Sequence, residues 1–162
     1  MVLPNLDRFA SLPRFRDGRI DYTGSSEAAG VYVVVRYHNE LLVLKRSSSV
    51  SSMVGEWFFC CGFLDDPNKT IEEQALEELA EETTIRAEHV SSTEYLGELV
   101  VKEKGGAWYV HVVAVALQMR PSINLNWEHD EYSWMSVDNA ARLFVREGAK
   151  KALLLFKEKN KS

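Results

Sequence analysis

The stretch Gly55–Ile85 reads GEWFFCCGFLDDPNKTIEEQALEELAEETTI. Trp57 to Cys61 is wholly apolar and too short for a stable helix, so it reads as a buried strand that Gly62 ends. Asp65 to Lys69 (DDPNK) holds turn-forming residues. Thr70 with Glu73 three positions on makes a capping box, which opens a helix running to Thr83. Strand, turn and acidic helix in succession call for a sheet with a helix laid upon it, an α/β architecture.

That helix carries Glu72, Glu73, Glu77, Glu78, Glu81 and Glu82, and no Lys or Arg lies between Lys69 and Arg86. Ion pairing within the helix is therefore unavailable. On a wheel of about 100° per residue, Ile71, Ala75, Leu76 and Leu79 form the apolar stripe. Glu78 and Glu82 fall at its edge with Glu81 one step further round, whereas Glu73 and Glu77 lie on the opposite, solvated side. Spacings of three and four let Glu78, Glu81 and Glu82 converge beside the buried face. Oxygen donors at that density suit a hard cation, Mg²⁺ or Mn²⁺, and suit a structural zinc poorly. The plainer reading of a charge run is a solvated face; placement at the core edge argues against it.

Outward from this unit, Ala28 to Tyr37 and Leu41 to Lys45 flank a polar His38-Asn39-Glu40 and read as a hairpin. Ser47 to Ser52 has five serines in six residues and reads as a loop. Beyond the helix, Ser92 to Val101 and Trp108 to Leu117 read as strands about the turn Lys104-Gly105-Gly106, and Tyr132 to Met135 adds a short one. Ser136 caps a helix from Val137 to about Arg146, and Ala149 to Lys159 forms a basic helix. The order suits an α/β sandwich with a mixed sheet better than a regular doubly wound sheet. Residues 1–24 mix Pro, Arg, Asp and Gly without an apolar period, so they read as an irregular extension over a single domain of residues 25–162.

The whole chain has 162 residues, 46% hydrophobic and 27% charged, which fits one soluble domain and excludes extensive disorder. A net charge of −5 removes any global attraction for polymeric nucleic acid or anionic lipid. No run approaches the ~20 apolar residues needed to span a bilayer, and the N-terminal residues lack the apolar centre of a secretory signal. The expected location is cytoplasmic. Cys60 and Cys61 are neighbours that point to opposite faces of an extended strand, so they read as two free, buried thiols in a reducing compartment.

Gly55 to Ile85 resembles the signature region of the Nudix (MutT-like) hydrolases, a Gly-Gly turn leading through a loop into a helix of the pattern Arg-Glu-apolar-x-Glu-Glu-x-Gly-apolar. Glu78, Leu79, Glu81, Glu82 and Ile85 match that helix in register, and Trp57 matches the aromatic before the turn. Four features depart from the pattern. Cys60-Cys61 stand for the usual Pro-Gly; the loop is one residue longer, with Lys69 where a Glu is expected; Glu77 replaces the Arg; Thr84 replaces the last Gly. Glu77 is thus expected to add repulsion where the Arg holds the carboxylates, with Lys69 as a counter-charge. Isopentenyl diphosphate isomerases share the fold, but no His follows the Cys-Gly here and only His38 precedes it.

The resemblance covers roughly residues 28–147 and implies an α/β/α sandwich, a divalent cation, Mg²⁺ or Mn²⁺, and hydrolysis of a phosphoanhydride. It implies that Glu78, Glu81, Glu82 and Glu128 hold the metal together with a backbone carbonyl at Gly62. Glu82 or Glu128 would serve as general base. Glu131, in the same acidic loop, is the second choice to Glu128 and a candidate substrate contact. Arg36, Arg46 and Lys69 are candidates for binding phosphate; of Lys45 and Arg46, only one can point inward. Trp108, Tyr109, Trp127 and Tyr132 are candidates for stacking on a base. His129 is a candidate substrate contact, and His111 reads as a half-buried strand residue. The implied partner is a small nucleotide, foremost a nucleoside or deoxynucleoside triphosphate, then a nucleotide sugar or ADP-ribose, and the family implies self-association as a homodimer. A degenerate domain that senses nucleotide without turnover is the alternative from another class.

Overall fold

Valine and tyrosine crowd one eleven-residue run, β1 (Glu27–Tyr37), and every neighbour of that strand is built on it. The computed structural model describes residues 1–103 and 105–160. Of the expected turn Lys104-Gly105-Gly106, Lys104 lies outside the described residues. The remaining elements are β2 (Glu40–Arg46), β3 (Trp57–Phe58), β4 (Cys60–Phe63), α1 (Ile71–Thr83), β5 (Val90–Glu103), β6 (Gly106–Leu117), β7 (His129–Ser136), α2 (Val137–Leu143) and α3 (Glu147–Lys159).

β1 runs parallel to β6 from Glu27 opposite Ala107 to Arg36 opposite Ala116, and β5 returns antiparallel along β6. The other edge of β1 is shared. Gly30 to Val33 pair antiparallel with β4, while β2 meets β1 only at Arg36 and Tyr37. The expected hairpin therefore holds only at its turn, and beyond it β2 leaves β1 to pair with β7 along its length and with β3 at Leu44 and Lys45. This splay explains why the single strand expected at Trp57 to Cys61 is two. Trp57 and Phe58 pair with β2, Cys60 onward pairs with β1, and Phe59, fully buried, is the residue where partners change.

Alternation in β1 divides the core into two. Val31, Val33 and Val35 face α1, where Leu42, Leu44, Val113 and Val115 join Ile71, Ala75 and Leu79. Val34 faces the other way with Leu41, Val43, Phe58, Phe59, Val110 and Val112, covered by Ala140 of α2 and Ala149, Ala152, Leu153 and Phe156 of α3. The result is the expected α/β/α sandwich with a mixed sheet. Among the described residues no helix is long and apolar enough to cross a membrane.

The extension does more than lie over the domain. Leu6, Phe9, Ile20 and Tyr22 are buried in the core on the α1 side, and the Tyr22 hydroxyl donates to the Leu64 carbonyl at 2.6 Å. The Ile71 N–H, an orphan of the first helical turn, donates to the Val2 carbonyl at 2.7 Å. These anchors sit in irregular turns, and so they leave no period for a sequence reading to find.

Both ends of α1 are fixed locally. The capping box forms, with Glu73 N–H donating to Thr70 Oγ1 at 3.1 Å and Thr70 N–H to Glu73 Oε1 at 3.3 Å. At the other end Thr84 is left-handed, with φ +63°, where a β-branched residue is strained. Its Oγ1 accepts from Asn124 N–H at 3.2 Å. Thr84→Asn keeps a side-chain acceptor and tolerates that backbone, so it should stabilise the fold by about 1 kcal/mol. Urea denaturation checks this, and an unchanged or lower midpoint contradicts it.

Candidate active site

Glu82 projects from α1 into the core edge and is 1% exposed. Its Oε2 accepts the Cys60 thiol at 3.3 Å. Its Oε1 has no hydrogen-bond partner among the described residues. Four residues back, Glu78 lies over Gly62, so closely that a β-carbon there would fall inside its carboxylate. Glu81 is exposed beside Glu78. The Gly62 carbonyl lies 3.2 Å from where a β-carbon on Gly30 would stand. What glycine supplies at this position is therefore the close approach of backbone to Glu78.

The fourth acid arrives because a loop seals the end of α1. Asn124 and Asn126 donate their N–H groups to the carbonyls of Thr83 and Glu82 at 3.2 and 3.3 Å, which satisfies helix-end acceptors and leads residue 128 to the site. The Glu128 N–H donates to Asn126 Oδ1 at 3.1 Å, and the Glu128 carbonyl accepts from Ser47 N–H at 2.8 Å. Arg46 enters from β2, with Nη1 3.9 Å from Glu128 Oε2 and Nη2 donating to the Ser52 carbonyl at 3.2 Å.

The electrostatics register this convergence. Burial, then Glu128 and Glu78, push Glu82 up to about 9. Burial, then Glu81 and Glu128, push Glu78 up to about 8. Desolvated carboxylates that repel one another are stabilised in their charged form by a cation. As they stand, no three acids, imidazoles or thiols among the described residues meet closely enough to enclose an ion. The donors nevertheless fit a divalent cation in kind. They are carboxylate oxygens, one of them buried and unpartnered, and exposed Glu81 and part-exposed Glu128 are free to rotate towards it.

Gly62→Ala tests this arrangement. The added methyl must displace the Glu78 carboxylate, so turnover should fall about 10–100-fold with the fold retained, measured by steady-state kinetics and near-ultraviolet circular dichroism. Activity at the wild-type level would show that Glu78 can move without consequence.

The other nominated residues divide by strand face. Arg46 shares the face of Leu42 and Leu44 and enters the site; Lys45 points to the other face and pairs with Glu131 at 3.0 Å. Glu131 is thus not with the carboxylates. Arg36 follows Tyr32 and Val34 onto the far face and donates to the His38 carbonyl at 3.4 Å, so it too is left out. Lys69 is bound to Glu77, whose other oxygen lies 3.6 Å from Arg19 Nη2. The repulsion expected from Glu77 is therefore neutralised by an ion pair of reversed polarity and by an arginine from the extension. Trp108 stacks on Phe63 with centroids 5.3 Å apart, and the Tyr109 hydroxyl donates to Glu27 at 2.6 Å. Trp127 remains 66% exposed next to Glu128. His111 is buried in β6 with Nδ1 2.8 Å from the Tyr95 hydroxyl.

Cys60 and Cys61 face opposite sides of the sheet as expected, and burial raises both thiols well above their ordinary range. They are thiols, not thiolates. His129, expected as a substrate contact, is instead buried beside Glu82, with no exposed side-chain surface.

The NUDIX domain profile matches residues 25–156, and the chain belongs to the Nudix family of pyrophosphohydrolases. No curated protein sequence matches it. Among solved structures, the MutT protein of Methanosarcina mazei Go1 superposes with a TM-score of 0.67 at 22% identity, covering 86% of this chain and 99% of that one. The NUDIX domain of Shewanella oneidensis NrtR, complexed with ADP ribose, gives 0.69 at 13% identity, covering 96% and 98%. The E. coli dihydroneopterin triphosphate pyrophosphohydrolase gives 0.62 at 20% identity, covering 81% and 95%. At these identities the likeness is one of fold.

Proposed function

We propose that the chain hydrolyses a nucleoside or deoxynucleoside triphosphate to the monophosphate and pyrophosphate in a Mg²⁺-dependent reaction. The observation that carries this reading is that buried Glu78 and Glu82 are each raised by Glu128 and by a neighbouring helix glutamate, while one oxygen of Glu82 has no hydrogen-bond partner among the described residues. Glu78, Glu81, Glu82 and Glu128 would hold the divalent cation, and the chemistry it supplies when bound is neutralisation of phosphate charge and acidification of water. Glu82 or Glu128 accepts the proton of the attacking water. Glu82 is the more desolvated and the more rigidly held; Glu128 opens to solvent, from which substrate comes. Arg46, pointing into the same patch, offers its guanidinium to a phosphate oxygen. Exposed Trp127 offers a face for the base.

A second reading, a nucleotide-sugar or ADP-ribose hydrolase, is favoured by the superposition on a domain solved with ADP ribose. The test is release of phosphate and pyrophosphate from nucleoside triphosphates, nucleotide sugars and dinucleotides with Mg²⁺ or Mn²⁺. Pyrophosphate from triphosphates supports the first reading, and turnover confined to sugars the second. Nucleotide binding without release would make the domain a sensor.

A further inference from the structure

β7 carries one more residue than its partner strand needs. Lys45 of β2 stands opposite Glu131, but the next residue, Arg46, stands opposite His129, so Asp130 is an inserted bulge residue. A bulge of this kind reverses the face on which the following side chain lies. Here it turns His129 inward, onto the face of Arg46 and α1. The imidazole has no exposed side-chain surface, and its Nδ1 lies 3.5 Å from Glu82 Oε1.

Four buried polar atoms are without a hydrogen-bond partner among the described residues: Glu82 Oε1, both ring nitrogens of His129 and Nε of Arg46. Each costs about 1–3 kcal/mol while unsatisfied, and a slight rotation of the ring brings Nδ1 into hydrogen-bond range of the carboxylate. We propose that His129 is a positioning residue that donates Nδ1–H to Oε1 of Glu82. With the Cys60 thiol on Oε2, both oxygens are then held, and the plane of the carboxylate is set for the cation and the attacking water.

A neutral imidazole carries one N–H, on either ring nitrogen. The nitrogen facing an acceptor keeps that proton. Nε2 is left as a free acceptor. Partners of this sort orient acidic ligands, and their loss costs about 10–100-fold in metal affinity or activity. The assignment rests on the hydrolase reading for its catalytic consequence but not for its geometry.

The first measurement is the tautomer in wild-type protein saturated with Mg²⁺, which keeps Glu82 ionised, read from long-range ¹⁵N–¹H correlations of the imidazole. Nδ1–H with a bare Nε2 is expected, and the Nε2–H tautomer overturns the assignment. His129→Leu should lower kcat about 10–100-fold with KM nearly unchanged, and should weaken Mn²⁺ binding, followed by calorimetry without substrate, about 10-fold. His129→Asn places an amide N–H where Nδ1 stands and should recover most of both losses. A leucine variant within about twofold of wild type in both readouts overturns the proposal. So does an asparagine variant no better than leucine. If wild type hydrolyses nothing in the panel, the hydrolase reading fails, while the tautomer and Mn²⁺ affinity still decide the role of His129.

Discussion

Glu82→Gln should lower turnover by about 10²–10⁴-fold, the range a positioned acid–base group supplies, and leave the protein folded. Gln has the shape of Glu, and position 82 is 1% exposed, so no cavity opens. What disappears is a charge that the site needs ionised for cation and water. The same charge burdens the fold without a cation, because burial and the neighbouring Glu128 and Glu78 hold the carboxyl at about 9. The variant should therefore be catalytically crippled yet no less stable than wild type once metal is stripped. Steady-state pyrophosphate release and thermal melts in chelator measure the two halves. Turnover within tenfold of wild type, a loss of only ~1.4 kcal/mol of transition-state stabilisation, would remove Glu82 from the chemistry. A large loss of stability would mean that its carboxylate is structural.

Glu82 was legible as a candidate because α1 is governed by local rules. The capping box fixes where the helix starts, so the positions of Ile71, Ala75 and Leu79 on the core side follow, and Glu78 and Glu82 must lie at its edge. The apolar run from Trp57 was legible as extended chain, but not its division between two partner strands at Phe59, nor that the second strand runs through Gly62 to Phe63 instead of ending there. Residues governed by distant partners were not legible. Asp130 becomes a bulge only because β2 and β7 pair with one residue to spare, and nothing in His-Asp-Glu-Tyr announces that His129 will turn inward. Of the two roles open to Lys69, counter-charge and phosphate contact, the structure shows the first, in its ion pair with Glu77 eight residues on. Glu131 and Arg36 were misplaced by one strand position, enough to invert the face. Leu6, Phe9, Ile20 and Tyr22 were missed because turns carry no period.

Metal-free protein should lose stability as pH rises from about 6.5 to 9. Glu78 at about 8 and Glu82 at about 9 are raised above the ordinary carboxyl value of 4.5. In that interval the native state holds protons that the unfolded chain has released, so raising pH favours unfolding. Their contribution is complete below the unfolded value and is lost as pH climbs through the folded ones. His129, pushed down to about 4, acts with the opposite sign, but its effect is finished by its unfolded value near 6.5. Above that, the two carboxyls act alone until the raised thiols begin to contribute. At about 1.4 kcal/mol per proton per pH unit, the decline should reach about 5 kcal/mol, or some 10–20 °C in Tm for a domain of this size. Saturating Mg²⁺ should flatten it, since binding to the ionised carboxylates stabilises the native state most where protons no longer compete. Glu82→Gln in chelator should halve the slope. Melts from pH 6.5 to 9, with chelator and with Mg²⁺, give all three curves. A chelator curve that is flat, or that rises, would mean that Glu78 and Glu82 are already ionised in the folded chain and that the site needs no cation to hold them so.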